Sequence, residues 1–407
     1  MGGTDVEKTV RKHVLLVVEN APVPVDRRVW GEAMTLKRSG YDVSVISPQL
    51  PQAGSARQET IEGIDIWRFA MPFGGSNKRD FVFEYAWAFV ACHLLALRVW
   101  RRKPFQVIHV ANPPDLFFGL KWLFGWRGIR FIFDQHDLAP ELYESKFDEK
   151  GSNFIRAALR WLERQTYRAA DVVLVTNESY RQRAVSLGHV RDEEIFTVRN
   201  SPNKNVFYPR EPSIELRKGY QYLVLFAGTM GHQDGVDVLL KAAHHVRTER
   251  RRHDVLFVLA GTGDAWEELQ QIHRDYKLGD GVRFTGFLDD QEMLAYLSTA
   301  DIGSAPDLAG PLNSVSTMVK TLEYMAMGLP VVSFDLEESR FSADDAAVYV
   351  QDQTPEAFGD AIIELLDNPE KRKHMSEVGQ ARIAGPLSWK HSTENLLAAY
   401  ESVLSNG

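Results

Sequence analysis

At 407 residues, 44% of them hydrophobic, the chain is too long for one ordinary core, and at about 100 to 200 residues per domain it predicts two domains. A formal net charge of −8 and a pI near 5.9 exclude a global basic field for gripping nucleic acid. The single cysteine, Cys92, excludes an intramolecular disulfide and a cysteine-based zinc site and fits a reducing compartment, so the expected location is the cytoplasm.

The first residues, MGGTDVEKTVRKH, are charged where an export signal needs an apolar core. Met-Gly-Gly-Thr-Asp-Val also lacks the Ser or Thr that a myristoylation motif prefers at its sixth position. HVLLVVEN, RRVWGEAMTLKRSG and YDVSVISP then read as strand, helix ending at Gly40, and strand, a parallel α/β unit. Residues 81–100, FVFEYAWAFVACHLLALRVW, have the length of a membrane span, but Glu84, His93 and Arg98 interrupt them and predict a buried or interfacial helix. Further strands are expected at FQVIHVAN, RFIFDQH, DVVLVTN and EIFTVRN. Helices between them, 155–169 and 179–187 included, should cover both faces of the sheet.

Prolines and asparagines in NSPNKNVFYPREP, residues 200–213, break this rhythm, and the strand YLVLFAG restarts it. The expected domains are therefore 1–203 and 204–385, the second repeating the architecture through DVLFVLAG, VRFTGF, ADIGSAP, PVVSFD and AVYV. From about residue 386 to 407 a last helix is expected to cross back onto the first domain.

Ligands of open parallel sheets bind beyond the carboxyl ends of the strands, and there the second half is rich in glycine. GTMGHQDG carries Gly228, Gly231 and Gly235, GTGDAW carries Gly261 and Gly263, and TGF holds Gly286. Glycine lets backbone N–H groups approach a ligand closely, which suits a phosphate or diphosphate, although such glycines also serve turn geometry alone. The P-loop ending and the third glycine of the dinucleotide fingerprint are both missing. The stretch NSVSTMVKTLEYMAMGLPVV, 313–332, predicts a helix capped by Ser314 or Ser316, running to about Met327 and stopped by Gly328-Leu329-Pro330. Lys320 stands in its early turns, where a cation opposes the helix dipole unless an anion is bound. Glu323, on the same side, can accept hydrogen bonds from a diol such as ribose. The alternative, an intrahelical Lys–Glu pair on a solvated face, is opposed by Leu322, Met325, Ala326 and Met327, which imply burial.

These residues resemble glycosyltransferase family 4. The resemblance is carried by GTMGHQDGVDVLLKA, LAGTGD, VRFTGFLDDQEMLAYLSTADI and KTLEYMAMGLPVV in the second half. In the first half VENAPVPVDRRVWGEAMTLKRSGYDVSVI and DQHDLAPELY carry it, so that it runs in order over nearly the whole chain. It implies an α/β fold of two doubly wound Rossmann-like domains facing each other across a cleft, the GT-B fold. It also implies a nucleotide-diphosphate sugar, UDP-linked by expectation, on the second domain, a glycan or polyprenyl-linked acceptor on the first, and retention of anomeric configuration. Glu323 matches the acid that holds the ribose hydroxyls, Phe287 and Leu288 the position beside the base, and His136, in Asp134-Gln-His136-Asp137, the histidine that approaches the donor sugar. Gly228, Met230, Gly231, Gly263 and the segment Ser316, Thr317, Met318 complete the expected donor site. The chain departs from the family pattern where Val315 replaces a second Glu, where Thr229 and Asp234 replace basic residues, and where Ala21-Pro-Val-Pro-Val-Asp26-Arg27-Arg28 replaces a glycine-rich loop. It is similar in this to a branch that assembles bacterial surface polysaccharides and includes amino-sugar transferases.

As the glycosidic bond breaks, negative charge grows on the diphosphate, and Lys320, Gly231 and the backbone of 316–318 are the expected stabilisers. The sequence has no Asp-x-Asp triplet and no metal-spaced histidine cluster, so neither a metal nor a cofactor is expected besides the sugar nucleotide. His136 is expected to act with Lys320 in catalysis; the alternative is a loop network of His136, Asp137 and Glu141. Asp26, Arg27, Arg28, Asp137 and Glu141 are the acceptor candidates, against a solvated Arg-Arg pair bound to Asp26. Val315 predicts a deoxy or acetamido donor. The aromatic and basic stretches 81–100 and 117–131 suit a peripheral contact with the inner face of a membrane or ordinary helix packing. A UDP-N-acetylhexosamine 2-epimerase and a non-catalytic sugar-nucleotide-binding partner protein are the competing functions.

Overall fold

A computed structural model describes residues 11–49, 56–71, 78–147, 152–187 and 190–405; the readings made on the first ten residues lie outside these. The chain divides into two units, Met1–Tyr143 with Lys150–Val198 and Thr393–Gly407, and Glu144–Glu149 with Arg199–Ser392. The second long segment thus begins at Arg199, immediately before the Pro/Asn-rich stretch and five residues before the expected boundary at 204. Arg199 belongs to it because its Nη1 pairs with Glu338 at 2.9 Å. Its backbone also exchanges hydrogen bonds with the Ser392 hydroxyl, both 3.0 Å.

In the first unit, runs such as His13–Val17 and Val107–Ala111 are buried residue after residue and apolar but for His13 and His109, the pattern of strands covered on both faces. The strands are β1 (His13–Val17), β2 (Asp42–Pro48), β3 (Gln58–Ile61), β4 (Ile64–Phe69), β5 (Val107–Ala111), β6 (Arg130–Gln135), β7 (Val172–Val175) and β8 (Ile195–Thr197). They lie in the order β3-β4-β2-β1-β5-β6-β7-β8, parallel except for the β3–β4 pair. That hairpin is absent from the sequence reading; its signal is Glu62-Gly63, both with positive φ, a two-residue hairpin turn. The order reverses about β1 and β5, so the loops after β1, β5 and β6 surround the switch point. The Lys78–Arg102 helix buries Ala88, Cys92, Ala96 and Val99 on one stripe. Among the described residues no helix is long and apolar enough to cross a membrane. The Trp389–Ser405 helix joins this unit through Asn395, which donates to the Thr197 carbonyl at 2.8 Å, and through Tyr400 at the His109 ring.

The second unit holds β9 (Tyr222–Ala227), β10 (Val255–Ala260), β11 (Val282–Gly286), β12 (Ile302–Ala305), β13 (Val331–Phe334) and β14 (Ala347–Val350), in the order β11-β10-β9-β12-β13-β14. Its switch point lies between β9 and β12. The short helix after β12 spans Val319–Ala326. Neither Ser314 nor Ser316 caps it: Met318 holds the N-cap position without a side-chain hydrogen bond. Ser314 is drawn into the preceding turn instead, where its hydroxyl accepts from Gly310 N at 3.3 Å and its own N–H donates to Gly310 O at 3.1 Å. The helix ends as the sequence predicts. Gly328, at φ 76°, donates to Met325 O and Leu329 donates to Tyr324 O, a left-handed C-terminal closure.

Candidate functional site

Three loops meet at the carboxyl edge of the second sheet. Gly228 N donates to Ala260 O and Met230 N to Thr262 O, each at 3.0 Å, while Gly261 N donates to Gly286 O at 2.9 Å. The loops run so close that a Cβ on Gly261 would stand 1.9 Å from the Gly228 carbonyl oxygen, and one on Gly263 2.4 Å from the Met230 oxygen. Glycine is required there by backbone packing, whatever binds. Met230 turns its side chain fully into the core, so it can offer a ligand only its backbone.

Beside these loops Lys320 lies in an acidic and aromatic nest. Its Nζ donates to Asp307 Oδ1 at 2.7 Å, stands 3.7 Å from Asp234 Oδ1 and lies 4.8 Å from the Phe226 ring centroid. Asp307 follows β12 and its side chain is 2% exposed, with Oδ2 lacking a hydrogen-bond partner. Asp234 accepts from Gly231 N at 2.9 Å through Oδ2, so the departure from the family pattern at 234 is used to hold the glycine loop. Burial pushes the Asp234 carboxyl up; Lys320 opposes this and the neighbouring Asp307 adds to it. One ammonium therefore serves two carboxylates, Asp307 buried and Asp234 half-buried.

Glu323 stands half-buried on the same short helix. Behind it the Tyr324 hydroxyl accepts from Ala227 N at 2.8 Å and donates to Ser304 O at 3.4 Å, which locks the helix onto β9 and β12. Phe287 is 85% exposed at the loop after β11, with Leu288 partly packed on the core beside it. Gly231 borders the Gln233 side chain, Thr317 Oγ1 donates to Glu338 Oε1 at 2.9 Å, and Val315, Ser316 and Met318 are half-buried in the segment before the helix.

In the first unit, the expected site residues gather at the switch point around a buried ionic cluster. His136 follows β6, its Nε2 in a short contact with Asp134 Oδ2, and its backbone N–H donates to Asn112 Oδ1 at 2.7 Å. Asn112 also accepts from Asp137 N at 3.2 Å. Asp134 is held by Arg28, whose Nη2 and Nε donate to its two oxygens at 2.6 and 3.2 Å. Glu32 lies 3.3 Å from Arg28 Nε, and His109 Nε2 lies 3.5 Å from both Glu32 and Asp134. The two acids are driven apart. Burial, with the Asp134 charge behind it, pushes Glu32 well up, whereas for Asp134 Arg28 and then His136 outweigh burial and hold the carboxyl well below its ordinary range. Burial lowers His109, and its Nδ1 lies within hydrogen-bond distance of the Tyr400 hydroxyl, at 2.8 Å. Glu32, His109 and Asp134 are spaced like metal ligands, but the Arg28 guanidinium already supplies their cation, so the set does not fit a resident metal.

This placement corrects two acceptor candidates. Arg28 is buried and committed to Asp134, Glu32 and the Val198 carbonyl, at 2.6 Å for the last, and so is no surface clamp. Glu141 is buried and paired with Arg183 at 2.7 Å, a charge needed by the fold. Asp26 caps the Arg27–Arg38 helix, its carboxylate accepting from Val29 N at 2.9 Å. Arg27 is exposed and Asp137 half-buried, which leaves both accessible.

Comparison with known proteins decides the relationship. Residues 25–201 match the family model described as glycosyl transferase 4-like domain, and residues 221–368 the one described as glycosyl transferases group 1. The chain belongs to glycosyltransferase family 4. Over 254 residues this glycosyltransferase is 27% identical to the alpha-D-kanosaminyltransferase of Streptomyces kanamyceticus, an alignment that covers 60% of this chain and 64% of that one. It thus spans just under two thirds of that relative. Sucrose-phosphate synthase from Thermosynechococcus elongatus superposes with a TM-score of 0.78 at 18% identity, covering 98% of this chain and 100% of the other. Anabaena Alr3699/HepE, solved in complex with UDP and glucose, gives 0.72 at 14% identity over 96% and 100%. At these identities the likeness is one of fold, the two-domain GT-B fold.

Several residues of the glycosyltransferase's site escaped the sequence reading. Asp307 could have been found as an acid two residues beyond a strand at the switch point. Glu32, His109 and Tyr400 carry no such local signal, since each reads as part of a helix face or strand until the sheet brings them together.

Proposed function

We propose that this glycosyltransferase moves a sugar from a UDP-linked donor to a glycan or polyprenyl-linked acceptor with retention of anomeric configuration. The observation that carries the reading is Lys320, held by Asp307 and Asp234 beside the crowded glycine loops, one turn before Glu323. Glu323 receives the ribose hydroxyls and exposed Phe287 lies against the base. The uncapped start of the Val319–Ala326 helix receives the diphosphate, beside the Gly231 loop whose N–H Asp234 holds. The complex of the Anabaena protein with UDP supports the choice of base.

When the anomeric C–O bond breaks, charge moves onto the leaving diphosphate. Lys320 then turns from Asp307 toward it, stabilising the transition state more than the ground state. The leaving phosphate takes the acceptor's proton, so no carboxylate nucleophile is required. His136, oriented by the charged Asp134, acts on the reacting sugar, while Arg27 and Asp137 receive the acceptor. Val315 removes the carboxylate that would bind a sugar hydroxyl and so favours a deoxy or acetamido donor.

The test is a thermal-shift panel of UDP, GDP, ADP and CMP, followed by UDP sugars with and without acceptor. The expected result is a rise with UDP that Glu323→Ala abolishes, and turnover only with acceptor. No rise with any nucleotide overturns the donor site, and interconversion of a UDP-N-acetylhexosamine without acceptor overturns transfer in favour of the epimerase.

A further inference from the structure

We propose that one outer face of the first unit docks on an anionic lipid bilayer. The Lys78–Arg102 helix has two apolar faces, and packing explains only one. Ala88, Cys92, Ala96 and Val99 are buried, but on the opposite side Phe83, Trp87, Val90 and Leu94 are exposed, at spacings of four, three and four. The same exposed stripe continues into Arg98 and Arg101. An apolar stripe that runs into arginines is the surface of a helix lying in an interface. No described helix can span a membrane, so this one would lie on it.

Two neighbouring helices widen the face. Phe118–Phe124 packs on the first at Gly119, where a Cβ would come 2.8 Å from His93 Nε2. It presents Trp122 at 67% exposure, and Trp126 just beyond it at 74%. The Arg127 guanidinium lies over the Trp126 ring at 4.2 Å. The Asn153–Ala169 helix adds Phe154, 82% exposed, and Trp161, whose ring stands 6.3 Å from Phe118, itself 4.9 Å from Trp122. Arg160, Arg164 and Arg168 are exposed on the same side of that helix. Ring contacts thus join the second and third of these helices, and the packing at Gly119 joins the second to the first, with exposed arginines beside the apolar side chains.

Charge names the occupant. The chain carries −8 in total and as a whole is repelled by an anionic surface. Yet across residues 83–102, 117–130 and 152–170 the only acids are Glu84, which is half-buried, and Glu163, which is buried against Arg183. Arginine and tryptophan without exposed acid match a bilayer's phosphate layer and the interface beneath it, where indole rings partition.

The experiment is flotation of the full chain with vesicles of phosphatidylglycerol and phosphatidylcholine, against phosphatidylcholine alone, with tryptophan emission recorded. The expected result is flotation with the anionic vesicles only, a blue shift as the exposed indoles leave water, and release at about 0.5 M salt. Arg160→Glu with Arg164→Glu should weaken binding at least about tenfold. Trp122→Ser with Phe154→Ser should do the same through lost apolar burial while the melting temperature and the UDP shift stay as in the wild type. No flotation with anionic vesicles, or equal flotation with both kinds, overturns the proposal. So does self-association that these substitutions abolish, which would show that a second copy covers the face. Vesicle binding is read without donor or acceptor, so its failure is distinct from failure of the transfer reading.

Discussion

Lys320→Ala tests the candidate donor site through its energetics. In the wild type one ammonium lies 2.7 Å from Asp307 and 3.7 Å from Asp234, with Asp307 almost entirely sealed from solvent. Removing the cation leaves a buried carboxylate beside a half-buried one, and breaking a buried pair from one side costs about 3–5 kcal/mol. Burial already pushes the Asp234 carboxyl up, so it can relieve part of that cost by taking a proton, and about 3 kcal/mol is expected at pH 7. For a unit of some 200 residues this is a fall in melting temperature of about 6–12 °C. Calorimetry of the full chain should show it in one of its transitions. The deficit should shrink as the pH is lowered toward 5, because carboxylates without a partner protonate. The Lys320→Ala/Asp307→Asn double variant should regain most of the loss, because the remaining acid no longer faces a second charge. It should nevertheless bind UDP as poorly as Lys320→Ala, since the cation for the diphosphate is still missing. Wild-type stability of Lys320→Ala, or a double variant no better than the single one, refutes the account of Lys320 as the counter-charge of this nest.

Four further outcomes are expected. Glu323→Ala should weaken UDP binding by about 1.5–3 kcal/mol, the range for hydrogen bonds to a charged group, with little change in melting temperature. Gly261→Ala should cost about 3 kcal/mol of stability, because its Cβ meets a backbone oxygen and its φ is +133°; an unchanged melting point would mean the loops can part freely. Burial, with Glu84 behind it, raises Glu19 from near 4.5 to about 8. The folded state therefore binds its proton more tightly, and that stabilisation, complete below pH 4.5, is lost as the pH rises toward 8. This should cost on the order of 3 kcal/mol by pH 7, and melting curves of Glu19→Gln should be correspondingly flatter between pH 5 and 8. Transfer should persist in excess chelator, since Arg28 already neutralises the one metal-like cluster among the described residues; loss restored by added metal would contradict this.

What the sequence by itself determined was the part written in short-range pattern. Runs such as VLLV and VLFVLA demand strands buried on both faces, the 3.6-residue stripes demand helices against them, and Gly328-Leu329-Pro330 ends a helix because only a left-handed residue can turn the chain there. The alternation of these elements determined two doubly wound units, and the glycines after β9, β10 and β11 marked the edge where a ligand can approach. What only the tertiary structure decided was which charges meet. Arg28 and Asp134 are 106 residues apart, and His109 and Tyr400 are 291 apart. Arg28 next to Arg27 reads as one more surface cation until the sheet closes over it. Even Lys320, 13 residues from Asp307, reads as a free cation because the intervening turn, and not a helix, returns the acid to it. Periodicity reports which face of an element is buried, because burial repeats along the chain; ionic partnership depends on how strands are ordered in a sheet, and that ordering leaves no trace in the spacing of neighbours.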